Sequence, residues 1–349
     1  MKQGYLIINL GTPDSPQPKE VGTYLKEFLM DPFVVDINGF FRWILVYLLI
    51  VPKRSKESAA LYQNIWTEEG SPLLVYSKKL IKKLIEKFEK TPIELGMRYG
   101  SPSLEEAIDK LLQQGVDKIT ICPLYPQYAL SSTATCLVSV QKALRARSFQ
   151  GEARYLRSFY DHPNYLQAMA NSIKPYLESS PDMIVFSYHG LPEHQVSATG
   201  TRCEFNSSCC TTFKSHSPDC YRAQCYHTTN KVLEALNWPK DKTTVVFQSR
   251  LGRRPWLKPY ADDEIKKIAE SGAKNIVVSC PSFTADCLET LEEISFRMKD
   301  DFINAGGESL TLVPSLNDNQ EWVDAIPTLW QDSNTTLLRD FTPDARGAE

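Results

Sequence analysis

The sequence predicts an α/β protein made of two similar doubly wound domains with parallel sheets, and three observations predict it. Short, continuously apolar and β-branched runs alternate with segments whose apolar residues recur at helical spacing, as in parallel strands covered by helices on both faces. A chain of 349 residues has room for two domains. The two halves also repeat one another in order and spacing.

The strand candidates are Tyr5–Leu10, Ile93–Tyr99, Lys118–Tyr125, Ala153–Phe159, Met183–Tyr188, Thr243–Ser249, Asn275–Ser279 and Leu310–Val313. Between them, Leu74–Lys90, Leu104–Gly115, Tyr165–Leu177 and Tyr226–Leu236 carry helical periodicity. The repeat has two parts. The first pairs Tyr5-Leu-Ile-Ile-Asn-Leu-Gly11-Thr-Pro13 with Met183-Ile-Val-Phe-Ser-Tyr-His-Gly190-Leu-Pro192. The second pairs Glu105 to Ile108, Gly115 to Ile119 and Cys122-Pro123 with Asp262 to Ile265, Gly272 to Ile276 and Cys280-Pro281. The domains are set at residues 1–145, joined by a returning helix within 316–345, and 146–315, with a cysteine-rich insert at 200–226. That last helix, Asp318–Trp330, is expected to cross back onto the first domain, followed by a polar tail that frays.

Composition narrows the function. Hydrophobic residues make up 42% and charged residues 23%, a globular balance, and the net charge of −3 with no basic, aromatic-laced stripe argues against a nucleic-acid partner. The apolar run after Met1-Lys2 is too short for a signal peptide and lacks a cleavage site, so a cytoplasmic protein is expected. The most apolar window, Phe40 to Val51, is shorter than the roughly 20 residues a membrane span needs and contains Arg42. A largely buried helix is the first expectation for it. The alternative is a lip that contacts a membrane surface or an apolar ligand.

In open parallel sheets, ligands bind beyond the carboxyl ends of the strands. The segments there are Gly11–Pro13, Arg98–Pro102, Tyr125–Ser132, His189–Pro192, Arg250–Trp256 and Pro281–Glu289, and they are expected to line a cleft between the domains. His189 ends its strand just before Gly190 and Pro192, which would expose the imidazole at the sheet edge. After Pro281 a helix is expected with Thr284 as N-cap, placing Asp286, Glu289 and Glu293 on one face, a row of hard oxygen donors for a divalent cation. Tyr99, Tyr125, Tyr128, Trp66 and Trp256 are candidate aromatic walls. Arg98, Arg250, Arg253 and Arg254 are candidate partners for ligand carboxylates. Five of nine cysteines, Cys203, Cys209, Cys210, Cys220 and Cys225, lie within 23 residues. In a reducing compartment such a cluster points to metal: zinc or an iron–sulfur cluster, with a metal-free insert as the third reading.

Several segments together resemble the ferrochelatase family along nearly the whole chain. They are Asn9-Leu-Gly-Thr-Pro13, Glu69-Gly-Ser-Pro72, Met97-Arg-Tyr-Gly100, Leu124-Tyr-Pro-Gln-Tyr128 with Ser131-Ser-Thr133, and Ser187-Tyr-His-Gly-Leu-Pro192. Gln248-Ser-Arg250, Pro255-Trp-Leu257 and Phe283-Thr-Ala-Asp286 with Leu288-Glu-Thr-Leu291 complete the set. The resemblance implies a chelatase fold that binds a porphyrin between its domains and inserts Fe²⁺ as substrate. It assigns His189 to proton acceptance, metal binding or both, and Glu289 to the acidic partner role. Arg98, Tyr99, Tyr128 and Trp256 are implied to line the porphyrin site.

Two residues depart from the family pattern. Cys287 stands where many relatives carry histidine, and Arg297 interrupts an acidic row. By the same resemblance the insert is expected to hold a 2Fe–2S cluster on Cys203, Cys210, Cys220 and Cys225, with Cys209 as the alternative to Cys210. The activity implied is protoporphyrin ferrochelatase, in the cytoplasm and peripheral to the inner membrane. The alternatives are a chelatase for coproporphyrin or a cobalt-accepting precursor, and a non-catalytic protein sensing haem or redox state. The long apolar Phe40–Val51 segment favours the membrane-partitioning protoporphyrin.

Overall fold

The structure, a computed structural model, describes residues 1–199, 209, 219–250, 252 and 254–343. Nine strands are assigned among them: β1 Gln3–Thr12, β2 Ile93–Gly100, β3 Lys118–Pro123, β4 Glu152–Leu156, β5 Met183–His189, β6 Thr243–Gln248, β7 Asn275–Ser279, β8 Ser309–Leu312 and β9 Thr335–Leu337. The first eight coincide with the apolar runs. The chain divides into two compact units. One is Met1–Tyr125 with Ala129–Ser158 and Asp318–Glu349; the other is Pro126–Tyr128 with Phe159–Asn317.

In the first unit the sheet order is β2-β1-β3-β4-β9. The β1 residues Leu6, Ile7 and Ile8 are fully buried; burial of both sheet faces is why the run is continuously apolar rather than alternating. The helix Gln320–Leu329 is capped by the Asn319 side chain and buries Trp322. Just beyond it, Trp330 stacks on Tyr5 with ring centroids 3.8 Å apart. The tail after this helix does not fray over its described part. Thr335–Leu337 pairs antiparallel with β4, and the Gln141 amide donates to the carbonyls of Leu338 (2.8 Å) and Phe341 (3.0 Å). Two threonines and a leucine are too few to show a strand period of their own, and the open edge of β4 supplies the partner.

The second unit has the order β6-β5-β7-β8, all parallel. That order reproduces β2-β1-β3-β4, as the sequence repeat requires. The shared Gly-x-Pro turns have a shared cause. At Gly11 (φ +108°) a Cβ would lie 1.7 Å from the Tyr99 carbonyl of β2, and at Gly190 it would lie 2.7 Å from the Gln248 carbonyl of β6. In both units the strand ends where its neighbour's backbone presses against it, and only glycine fits.

The apolar window is where expectation and structure part. An α-helix over Gly39–Ile44 continues through a π-turn at Leu45–Ile50 into the helix Val51–Ile65. Pro52 lies at the second position of that last helix and cannot donate to the preceding turn, a known cause of such bulges. Val46, Val51 and even Arg42 face inward, with Arg42 Nη1 donating to the Val35 carbonyl at 3.2 Å. Phe40 (67% exposed), Phe41, Trp43, Leu48 and Leu49 (62%) face outward. The expectation of a largely buried helix is therefore overturned. A segment apolar on every side gives no period from which to read its inner face.

Candidate functional site

In the second unit β5 lies between β6 and β7: the chain runs from it to β6 on one side and then crosses over to β7 on the other. Its carboxyl end is thus the switch point where α/β sheets bind ligands. His189 occupies that end, in register with Gln248 of β6. Its backbone is fixed on two sides: the amide donates to Ser282 Oγ (3.2 Å) in the loop after β7, and the carbonyl accepts from the Tyr221 hydroxyl (2.8 Å). Its ring lies 6.3 Å from that of Phe283. Nδ1 lies 2.6 Å from the Gly190 carbonyl. A carbonyl can only accept, so Nδ1 is the donor of this bond, and in the neutral form of the ring Nε2 is the unprotonated nitrogen.

Trp256 is tied to the same turn. It bridges antiparallel to Pro192, while Glu193 N donates to the Pro255 carbonyl (3.0 Å) and Leu257 N to the Leu191 carbonyl (2.9 Å). The His189 loop and the Trp256 loop therefore form a single structure.

Glu289 lies half-exposed in the short helix Leu288–Leu291. That helix starts later than the sequence predicts. Its N-cap is Cys287, not Thr284. Asp286 is buried before the helix, where its carboxylate accepts from Thr290 Oγ1 (3.1 Å), Ser315 N (3.1 Å) and Asn317 Nδ2 (2.8 Å). The expected row of three carboxylates on one face is corrected accordingly: Asp286 is used up by loop hydrogen bonds. Glu293 begins a π-turn over Glu293–Met298, which shifts the helical register beyond it. Arg297 bonds Glu292 (2.9 Å) and Glu293 (3.1 Å). Cys287 is buried beside Glu289, and that burial, reinforced by the carboxylate, raises its thiol pKa well above the ordinary value.

The first unit holds Arg98 and Tyr99 at the end of β2. Both converge on Asp31, which sequence reading passes over. Arg98 Nη2 is ion-paired with Asp31 Oδ2, and Arg98 Nε donates to Thr135 Oγ1 (2.9 Å). The Tyr99 hydroxyl (2.8 Å) and Thr135 Oγ1 donate to the same carboxylate oxygen, while Phe33 N donates to the other (2.8 Å). The guanidinium lies 4.4 Å from the Tyr99 ring centre. Burial disfavours the Arg98 charge, but Tyr99 and Asp31 more than offset it and raise its pKa. Tyr99 is fully buried, and burial together with the Asp31 charge holds its phenol well above the usual range. Asp31 sits in an ordinary Met-Asp-Pro turn, and no local pattern marks it.

Other candidates are placed less favourably. Tyr128 is fully buried, its amide bonded to Gln224 Oε1 at 2.7 Å. Arg250 is paired with Asp262 (2.9 Å) and Arg254 contacts His194 (3.3 Å). Arg253, Cys203 and Cys210 lie outside the described residues. Cys220 is the N-cap of the helix Tyr221–Leu236, and Cys225 is fully buried within it. Cys209 is half-buried. Among the described residues, no group of three or more His, Cys, Asp or Glu side chains is arranged to hold a metal ion.

Comparison with known proteins is consistent along the length of the chain. A sequence model described as ferrochelatase matches residues 2–334. A ferrochelatase of Pseudomonas fluorescens SBW25 is 41% identical over 339 residues, covering 95% of this chain and 98% of the relative. One from Legionella pneumophila strain Lens is 43% identical over 332 residues, with 94% and 98% covered. Among solved structures, SirB from Bacillus subtilis with Fe³⁺ superposes with a TM-score of 0.51 at 12% identity, covering 99% of this chain and all of that one. That likeness shows the fold alone.

Proposed function

Since the chain belongs to the ferrochelatase family, metal chelatases that insert Fe²⁺ into protoporphyrin IX to form protohaem, we propose that His189 and Glu289 carry out the insertion. The observation behind the assignment is the His189 ring. The bond from Nδ1 to the Gly190 carbonyl fixes the tautomer, leaving Nε2 as a base. Free-base porphyrin must lose two inner N–H protons as the metal enters, and a neutral imidazole accepts a proton at physiological pH. Glu289 supplies a hard oxygen donor to replace a water on incoming Fe²⁺.

Arg98 and Trp256 are the proposed porphyrin contacts, a cation for a propionate and an indole for the macrocycle face. Tyr99 and Tyr128, both buried, act behind the surface; Tyr99 does so by bracing Asp31. His189→Ala is expected to lower turnover by about 10³-fold with an unchanged melting temperature. Near-normal turnover in a folded variant removes His189 from the mechanism.

The exposed Phe40, Phe41, Leu48 and Leu49 support a peripheral membrane contact near a source of apolar porphyrin. Among the described residues no helix is long and apolar enough to cross a membrane, so the contact would lie in the interface. Serine at those four positions is expected to abolish co-sedimentation with liposomes; unchanged sedimentation rejects the contact.

For the insert, thiol number and spacing support a 2Fe–2S cluster on Cys203, Cys210, Cys220 and Cys225. The two described ligands fit it poorly. Cys220 precedes the helix Tyr221–Leu236 as its N-cap while Cys225 is fully buried within it, so the first turn would have to reshape. A purified protein without visible absorption bands or acid-labile sulfide rejects the cluster.

A further inference from the structure

The two residues assigned to chemistry come from different parts of the second unit. His189 ends β5, whereas Glu289 lies in the first turn of a helix that starts at Leu288 and runs through the π-turn Glu293–Met298 to Asn304. One buried side chain joins them. Gln248, 4% exposed at the end of β6, accepts at Oε1 from Ser187 Oγ (2.6 Å), two residues before His189. Its Nε2 donates to the backbone carbonyl of Glu289 itself (2.7 Å) and to Glu293 Oε2 (3.1 Å). Its own backbone carbonyl accepts from Gly190 N (2.8 Å). Gly190 is also the residue whose carbonyl fixes the His189 tautomer. Ser249, next in sequence, is held at φ +65° and donates to Glu293 Oε2 at 2.6 Å. A left-handed serine is a strained conformer that persists only where its surroundings enforce it.

We infer that Gln248 is a positioning residue for iron insertion, a connector that sets the placement of Glu289 relative to His189. The inference rests on the assignment of those two residues to the reaction. The chemistry of the amide is required as well as its volume. Only an amide can accept from Ser187 and at the same time donate to a carbonyl and a carboxylate. Leucine fills the space and supplies neither function. Glutamate keeps the shape, but in its ionised form it has nothing to donate to the Glu289 carbonyl and faces the Glu293 carboxylate; protonated, it regains one donor.

The test uses the full chain with Gln248→Leu, Gln248→Glu and, in parallel, His189→Ala. Initial rates of Fe²⁺ insertion are measured over roughly pH 6 to 9 together with thermal midpoints. Gln248→Leu is expected to lower kcat by about 30-fold, within the range a displacement of reacting groups produces, with the porphyrin KM nearly unchanged. Gln248→Glu is expected to regain activity as pH falls, a profile opposite in sign to that of a catalytic base, which loses activity when protonated. A folded Gln248→Leu protein with parental kcat, or one that loses only porphyrin affinity, overturns the connector. Should Gln248→Leu fail to fold, a Gln248→Glu pH profile parallel to the parent overturns it equally. Retained turnover in His189→Ala would instead indict the underlying site assignment, so the two failures are distinguishable.

Discussion

The strand pairs β1–β2 and β5–β6 occupy equivalent places in the two units, and their carboxyl ends are used in opposite ways. At the end of β2, Arg98 and Tyr99 turn their polar atoms onto one buried carboxylate, Asp31. The bonds run inward onto Asp31 and engage Arg98 through Nε and Nη2. At the end of β5, the His189 backbone and Nδ1 are tied down by Ser282, Tyr221 and Gly190, and Gln248 at the end of β6 braces the carbonyl of Glu289. There the hydrogen bonds hold the backbones of His189 and Glu289, the two residues proposed for the chemistry. One duplicated frame thus gives an inward-facing brace on Asp31 in one copy and, in the other, a braced strand end at which His189 and Glu289 are proposed to act.

If the β2 end is a brace, breaking it should cost stability first. Asp31→Ala leaves the Arg98 guanidinium, largely buried, without its counter-charge, and is expected to destabilise the protein by about 4 kcal/mol, read by chemical denaturation. A loss below about 1 kcal/mol would mean the pair is no brace. Glu289→Gln tests the other end and should show the reverse signature. Turnover is expected to fall about 100-fold, equivalent to about 2.7 kcal/mol, with stability and porphyrin KM little changed. Parallel loss of KM and kcat would make Glu289 a binding group and erase the contrast.

The sequence discloses what is encoded locally. The buried strands are visible because both faces are covered and every residue must be apolar. His189 is visible because a glycine and a proline stop its strand. Asp31 is not, and Gln248 shows only as part of a family segment without a role of its own, because their meaning lies in partners far along the chain; Asp31 meets residues 67, 68 and 104 positions away. Asp286 misleads for a related reason. Counting residues assumes the helix has begun, whereas the Asn317 and Ser315 contacts hold that carboxylate outside it. The Phe40–Val51 segment fails differently. Its apolar residues surround the helix, and the inward turn of Arg42 has no signature in hydropathy.

The family match ends at residue 334, and the short strand sealing β4 begins at the very next position. Trimming the chain to its recognisable portion would therefore strip the guard from an exposed row of backbone donors and acceptors. Such a row is a template for pairing with a second molecule. A few residues outside the shared pattern thus bear on whether this protein stays solitary or sticks to itself.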